Sequence, residues 1–283
     1  MFRTLAAGSI GIRVSWEEEV ELAAQWGFQS VGIGMDTINR LGLDKVRRIL
    51  TRKCILPSHT GLPVNLAGDQ ATYDQQLAAL PQFCWTMTQL GCERICSGIM
   101  PCSDTLTFEQ NFELYRTRIA PVAEVLAGYG LRLGFEFIAP ATLRRSKKYE
   151  FIYDIHGYLK LFKAVAAGSP GATNLGFVLD AWHWYEAHNN LSDLDLLSDD
   201  SVLLVHVNDA PAGIDIDQQQ DLVRELPAAT GVIDIQGFMN KLAAMHYTGG
   251  VLVEPFNAKL NAMPREQALL ATVRSLDKIW PVF

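Results

Sequence analysis

Residues 175–180 read LGFVLD and residues 202–207 read VLLVHV. Each is a short apolar run with one metal-competent side chain near its C-terminal end, Asp180 in the first and His206 in the second. Apolar runs of this length are typical of parallel strands that are buried on both faces. Parallel neighbours need a crossover connection, so this stretch predicts strands joined by helices in an α/β fold.

The same alternation continues along the whole chain and repeats about eight times. Strands are predicted at residues 5–10, 30–35, 55–59, 94–99, 132–138, 175–180, 202–207 and 250–255. Amphipathic helices are predicted at 76–90, 108–127, 235–245 and 265–279, and an earlier helix begins after Ser15, with Glu17 to Glu19 in its first turn and Gly27 at its end. No linker interrupts the alternation, so residues 1–283 are predicted to form a single (β/α)8 TIM barrel. An open doubly wound sheet is disfavoured because no glycine-rich fingerprint follows Gly8.

Composition narrows the class of protein. The chain has 283 residues, 49% of them hydrophobic, with a net charge of −7, which suits one globular domain of barrel size. Nucleic acid and anionic membranes require a basic surface, so neither is expected as a partner. Five cysteines without a CxxC pair predict reduced thiols. Neither a signal peptide nor an apolar span is visible, so a soluble, cytoplasmic protein is expected.

The last four predicted strands each end in a side chain that can bind a metal. These side chains are Glu136 in GFEF, Asp180 in FVLDAWHW, His206 in LLVHVND and Glu254 in VLVEPF. The C-terminal ends of parallel barrel strands converge on one mouth, so the four are expected to meet there. Three crowded carboxylates need a compensating cation, which predicts one divalent ion: Mn, Mg, Co or Zn. Taken singly, each would be an ordinary strand-end residue.

The motifs GFEF, FVLDAWHW, VHVNDAPAG, RELPAATGVID and VLVEPFN resemble the xylose isomerase-like TIM barrel superfamily. Within it, the chain is most similar to the sugar phosphate isomerase/epimerase family and its inosose isomerase branch. The resemblance implies a metal-dependent isomerase or epimerase of a small sugar, keto-sugar or inosose, acting by proton transfer through an enediolate. It assigns metal binding to Glu136, Asp180, His206 and Glu254, and proton transfer to the two glutamates. It also allows a homodimer.

Further residues are predicted to contact the substrate. The resemblance places His183 and Arg224 in the substrate pocket. His59, at the end of the third predicted strand, is expected to line the same cavity, and Trp182 and Phe256 to stack on a sugar face. Asp209, just after His206, is predicted to orient its imidazole, since metal-bound histidines usually donate their other N–H to a polar group.

Some positions depart from the family pattern. Relatives carry Gly and Glu in the loop that here reads PAATG at residues 227–231, so a substrate contact from that glutamate is lost. Keto-sugar 3-epimerases have a glutamate and an arginine near the positions of Thr142 and Ala212, which weakens that particular assignment.

Several alternatives stay open. A metal-dependent dehydratase of a cyclic keto acid or inosose would use nearly the same residues. An endonuclease-type phosphodiesterase is disfavoured by six histidines and the negative net charge, and a non-catalytic sugar-binding barrel would require that no metal binds. The basic run at residues 144–148, RRSKK, is also consistent with attraction of an anionic substrate.

Overall fold

In a computed structural model that describes residues 1–281, short strands alternate with helices along the chain. The strands are β1 (Phe2–Leu5), β2 (Ser30–Val31), β3 (Leu56–Pro57), β4 (Thr60–Gly61), β5 (Arg94–Ile99), β6 (Cys102–Ser103), β7 (Arg132–Phe137), β8 (Tyr149–Glu150), β9 (Leu175–Asp180), β10 (Val202–Val207) and β11 (Gly250–Val253). Strands β6 and β8 form a separate antiparallel pair in the loops that follow β5 and β7.

The remaining nine strands of the described residues form one parallel sheet in the order β3-β2-β1-β11-β10-β9-β7-β5-β4. Its two edge strands, β3 and β4, belong to the same six-residue stretch of chain. Inside that stretch the Ser58 amide donates to the Val31 carbonyl, and directly after it the Leu62 amide donates to the Cys96 carbonyl. One interrupted strand therefore bridges the edges, which gives the eight-strand barrel that the sequence predicts.

Helices connect the strands on the outside of the sheet. They are α1 (Trp16–Gln25), α2 (Met35–Leu41), α3 (Leu43–Lys53), α4 (Gln70–Leu90), α5 (Phe108–Gly128), α6 (Ala141–Arg144), α7 (Ile155–Gly168), α8 (Ala181–Glu186), α9 (Ile235–Ala244), α10 (Ala258–Asn261) and α11 (Arg265–Ile279). Short 3-10 turns lie at Ala7–Ile10, Asp193–Leu196, Asp199–Ser201 and Ile216–Gln218. Helix α1 begins at the predicted place, because Ser15 and Glu18 form a capping box. No helix among residues 1–281 is both long and apolar enough to cross a bilayer.

The strand predictions are most accurate where the strands are longest. Strands β5, β9 and β10 have the predicted bounds. The prediction for residues 5–10 is wrong, because β1 ends at Leu5 and the chain then turns through Ala7–Ile10 into Gly11, whose φ is 79°. That apolar run reflects a turn packed against the core, not an extended strand. The predictions at 30–35 and 250–255 also extend too far, since β2 stops at Val31 and β11 at Val253.

An aromatic cluster supports the part of the barrel that carries the first two predicted ligands. Phe135 and Phe177, on β7 and β9, pack with Tyr158 and Phe162 of α7, and the ring centroids of these pairs lie 5.3–6.5 Å apart. Such pairs stabilise by about 0.5–1.5 kcal/mol each beyond their buried area. The backbone at Glu136 is held further by the Tyr158 hydroxyl, which donates to its carbonyl at 2.9 Å. The strand ends are therefore a rigid platform.

Candidate metal centre

The structure brings the four predicted metal ligands together at the C-terminal mouth of the barrel. Glu136, Asp180, His206 and Glu254 each offer one ligand atom, and these atoms all lie within 4.8 Å of one another. His206 Nδ1 lies 3.0 Å from a Glu136 oxygen, 3.7 Å from Asp180 Oδ2 and 3.3 Å from Glu254 Oε2. The register of the sheet explains the convergence, because His206 on β10 pairs with Asp180 on β9.

The donor set fits a divalent cation. Glu136 Oε1 and His206 Nδ1 are buried, lie close together and make no properly oriented hydrogen bond in the described structure. Buried polar atoms are normally paired, so two unpaired atoms that face the same point indicate a missing partner. Three carboxylates and one imidazole suit Mn, Mg, Co or Zn. These four residues are the ones that would hold the ion.

The electrostatics of the cluster also favour a cation. Burial raises the pKa of Glu136, although His206 opposes the shift. Burial alone would raise the pKa of Asp180 as well, but the charges of Arg224, His183 and His206 hold it well below its usual value. Burial lowers the pKa of His206, yet Glu254 and Glu136 outweigh burial and raise it well above its usual range. The centre is a point of strongly negative potential, which a divalent ion would neutralise.

Asp209, three residues after His206, has a role that differs from the prediction. Asp209 was expected to orient His206, but its carboxylate accepts hydrogen bonds from the amides of Ala210, Thr230, Gly231 and Ile233 at 2.8–3.0 Å. This is a correction: Asp209 anchors both ends of the loop at residues 210–231, because a buried carboxylate takes the nearest amide donors.

Asn208 is the residue that positions a ligand. Its side-chain amide donates to Asp180 Oδ1 at 2.9 Å, and the Trp182 amide donates to the same oxygen at 2.7 Å. With Oδ1 occupied twice, Asp180 Oδ2 is left to face the centre. The carboxylate therefore has one orientation before any ion binds.

Arg224 reaches the centre from the loop anchored by Asp209. Its Nη1 donates to Asp180 Oδ2 at 2.8 Å and to Glu254 Oε2 at 3.2 Å, and its Nη2 donates to Asp221 Oδ1 at 3.0 Å. Only 2% of the side chain is exposed. The two ligand oxygens that Arg224 contacts are the ones that also face His206 Nδ1. Asp221 is not among the residues predicted from the sequence, although it lies only three positions before the arginine in DLVR.

Arg224 covers two other residues that were predicted to contact substrate. Trp182 is fully buried, and the guanidinium carbon of Arg224 lies 5.3 Å from the centre of its ring. Arg224 therefore lies over the ring that is predicted to stack on a sugar. His183 is 2% exposed, and its Nε2 lies 3.3 Å from Arg224 Nη2. Burial lowers the pKa of His183 to about 4, so its imidazole is neutral at pH 7.

His59 and Phe256, which are predicted to contact the substrate, both line an open cavity of about 590 Å³ next to the centre. His59 Nδ1 is hydrogen-bonded to the Ser58 hydroxyl at 2.8 Å, and burial lowers the pKa of His59 to about 4. Phe256 has a positive φ of 38°, which is strained for an aromatic residue. Its ring lies against Arg224, with the ring centre 4.8 Å from the guanidinium carbon.

Comparison with known proteins agrees with this architecture. The model of the xylose isomerase-like TIM barrel family matches residues 20–279. The chain belongs to this family. A curated relative, the inosose isomerase of Halalkalibacterium halodurans, is 24% identical over 154 residues, which cover 53% of this chain and 49% of that protein. The match thus spans about half the length of the relative.

Solved structures of the family superimpose over nearly the whole chain. A xylose isomerase domain protein from Alicyclobacillus acidocaldarius has a TM-score of 0.86 at 24% identity, with 99% of this chain and 98% of that chain covered. The IolI protein with a bound zinc atom has a TM-score of 0.80 at 17% identity, with 99% and 98% covered. D-psicose 3-epimerase from Clostridium cellulolyticum has a TM-score of 0.74 at 15% identity, with the same coverage. At these identities the likeness establishes the barrel fold.

Proposed function

We propose that this chain is a divalent-metal-dependent isomerase or epimerase of a small keto-sugar or inosose, and that it acts by proton transfer through an enediolate. The observation that carries the proposal is the four-residue cluster, with ligand atoms within 4.8 Å of one another and two of them buried without a hydrogen-bond partner. A bound divalent ion would supply Lewis-acid polarisation of the substrate carbonyl and stabilise the negative charge that develops on the enediolate oxygens.

Glu136 and Glu254 are the proposed proton-transfer groups. Their side chains are 20% and 18% exposed, whereas Asp180 is fully buried, so the two glutamates are the carboxylates that a substrate can reach. Strands β9 and β10 separate them in the sheet, which places them on different sides of His206. One carboxylate can then take a proton from one carbon while the other returns a proton to the neighbouring carbon or the opposite face.

Relatives support the proposal. The curated relative reported above is named an inosose isomerase, one structural neighbour holds zinc, and another is a 3-epimerase of a keto-sugar. The chemistry of these proteins suits the accessible glutamates and the oxygen-rich centre of this chain.

Solvent-deuterium incorporation tests the proposal. Keto-sugars and inososes would be incubated in D₂O with metal-loaded protein, and NMR would detect deuterium at the carbon next to the carbonyl. Glu254→Gln should slow incorporation by about 10²–10⁴-fold, the usual contribution of a general acid or base. Glu186→Gln is the matched control, because Glu186 is a buried carboxyl outside the cluster.

Two results would refute the proposed reaction. One is equal incorporation by the wild type and the Glu254→Gln variant. The other is a conjugated ultraviolet chromophore in place of isotope exchange, which would identify dehydration.

A further inference from the structure

The cavity beside the metal centre lies on the opposite side of the barrel mouth from most of the ligands. Its wall comes from the C-terminal ends of β1 and β2 and from the β3–β4 segment, whereas the ligands follow β7, β9, β10 and β11. Phe256 lines the cavity beside His59 and packs against Arg224, which contacts the predicted ligand Glu254, so cavity and centre adjoin. A substrate whose reacting carbons lie at the centre would extend its remaining atoms into this space.

The cavity wall carries one acidic side chain, Glu19, and among residues 1–281 no lysine or arginine lines it. Glu19 is fixed in place, because its Oε1 accepts a hydrogen bond from the Ala7 amide at 2.7 Å. An anionic substituent would therefore meet a negative charge without a compensating cation. Such an arrangement disfavours phosphate and carboxylate groups, because like charges repel and no cation offsets the cost of desolvating the anion.

Neutral hydroxyl groups, by contrast, would find partners there. The hydroxyls of Ser9 and Thr37 line the cavity and take part in none of the hydrogen bonds found within residues 1–281. Among the described residues, His59 forms a side-chain hydrogen bond only through its Nδ1, which leaves its Nε2 for a ligand. Hydroxyls and an imidazole can both donate hydrogen bonds to a polyol and accept them from it, and a carboxylate can accept them. Trp16 and Phe256 supply apolar surface for the carbon skeleton.

The basic run at residues 144–148 does not supply the missing positive charge. Arg144 is 5% exposed, donates to the Ala139 carbonyl at 2.7 Å and stacks on the Tyr153 ring. Arg145 pairs with Asp217 at 2.9 Å, and Lys147 pairs with Asp104 at 2.6 Å. Lys148 lies over the ring of Tyr149.

Arg224 is the cation nearest the centre described above, and three carboxylates already surround it. The basic side chains of residues 144–148 and Arg224 thus have partners outside the cavity.

We propose that the cavity bounded by Ser9, Glu19, Thr37 and His59 is a subsite for the uncharged, hydroxylated part of the substrate, and that it rejects phosphorylated and carboxylated analogues. This inference rests on the proposed function, because it locates the reacting carbons at the metal centre. It narrows the substrate class to neutral polyhydroxy ketones, and it sets the site apart from that of a keto-acid dehydratase.

Matched ligand pairs test the subsite. Isothermal titration calorimetry on metal-loaded protein would compare D-fructose with D-fructose 6-phosphate and myo-inositol with its phosphate, and inorganic phosphate alone would measure direct contact of phosphate with the metal. The neutral member of each pair should bind at least about tenfold more tightly. Glu19→Gln keeps the acceptor for the Ala7 amide but removes the charge, so it should reduce this preference severalfold.

A variant that binds the phosphorylated ligand more tightly distinguishes a change in charge from general damage to the site. Thr37→Lys adds a cation to the cavity wall and should reverse the preference, whereas Asn39→Lys, exposed on the same helix and outside the cavity, should leave it unchanged. Equal or tighter binding of the phosphorylated members by the wild type, beyond that of inorganic phosphate, would overturn the inference.

The binding ratio is measured without turnover. Failure of the proposed reaction would therefore show as absent deuterium exchange, independently of this result.

Discussion

Arg224 and a bound metal ion should neutralise the negative charge of the same two carboxylates. Replacement of the arginine tests this, because the ion should then be the main remaining positive charge beside them. Its Nη1 donates to Asp180 Oδ2 at 2.8 Å and to Glu254 Oε2 at 3.2 Å, in a site where the arginine and Asp180 are almost completely buried. Removal of one partner of such a buried ion pair costs about 3–5 kcal/mol. We therefore expect Arg224→Gln to lower the melting temperature of metal-free protein by roughly 5–10 °C.

Metal should restore much of this loss, because the ion replaces the missing positive charge. Differential scanning calorimetry with and without a chelator would measure both states, and the stabilisation by metal should be larger in Arg224→Gln than in the wild type. The affinity of the variant for the ion should rise at least about tenfold, which corresponds to about 1.4 kcal/mol.

Arg118→Gln is the matched control for this comparison, since Arg118 is a buried arginine that donates to the carbonyls of Leu66 and Gly68. Its effect on stability should be the same in both metal states. Equal destabilisation of Arg224→Gln with and without metal, at unchanged metal affinity, would refute the reasoning.

Two further predictions concern buried carboxyl groups near the centre. Burial raises the pKa of Glu186 to about 8, so folding favours its neutral form, and the stability that this form gives is lost as the pH rises through that value. In urea unfolding, the free energy of unfolding of Glu186→Gln should therefore rise by about 2 kcal/mol relative to the wild type between pH 6 and pH 9. A constant difference across that range would contradict the assignment. Asp209→Ala leaves buried amides unpaired, which costs about 1–3 kcal/mol of stability for each amide. Hydrogen exchange in residues 210–231 should therefore accelerate while the metal stays bound. If Asp209 instead orients His206, the variant would lose the metal and the loop would stay protected from exchange.

The ligand set could be predicted from the sequence because of how parallel strands are built. An apolar run that ends in Asp180 or His206 reveals both the strand and the residue at its C-terminal end, and barrel geometry brings such ends together. β7, β9 and β10 also begin where the pattern predicts. At these positions the apolar sequence pattern and the barrel topology place the same residues at the ends of the strands.

Loop-borne interactions could not be predicted in the same way. The path of residues 210–231 depends on the backbone amides that Asp209 captures, and no periodicity encodes that choice. Consequently the contact of Arg224 with two ligand carboxylates, and its cover over Trp182, were not visible in the sequence. Glu19 was interpreted only as a favourable charge at a helix start, whereas the fold turns it into the cavity wall.

The claim that Glu136, Asp180, His206 and Glu254 together hold one divalent ion is tested most directly by metal analysis of purified protein. Inductively coupled plasma mass spectrometry would compare the wild type with His206→Ala and Asp180→Asn, and with Glu186→Gln as a buried carboxyl outside the cluster. We expect one divalent ion per chain in the wild type and in Glu186→Gln, and loss of most of the metal in the two ligand variants. Wild-type protein without metal after reconstitution, or ligand variants that retain a full equivalent, would contradict it.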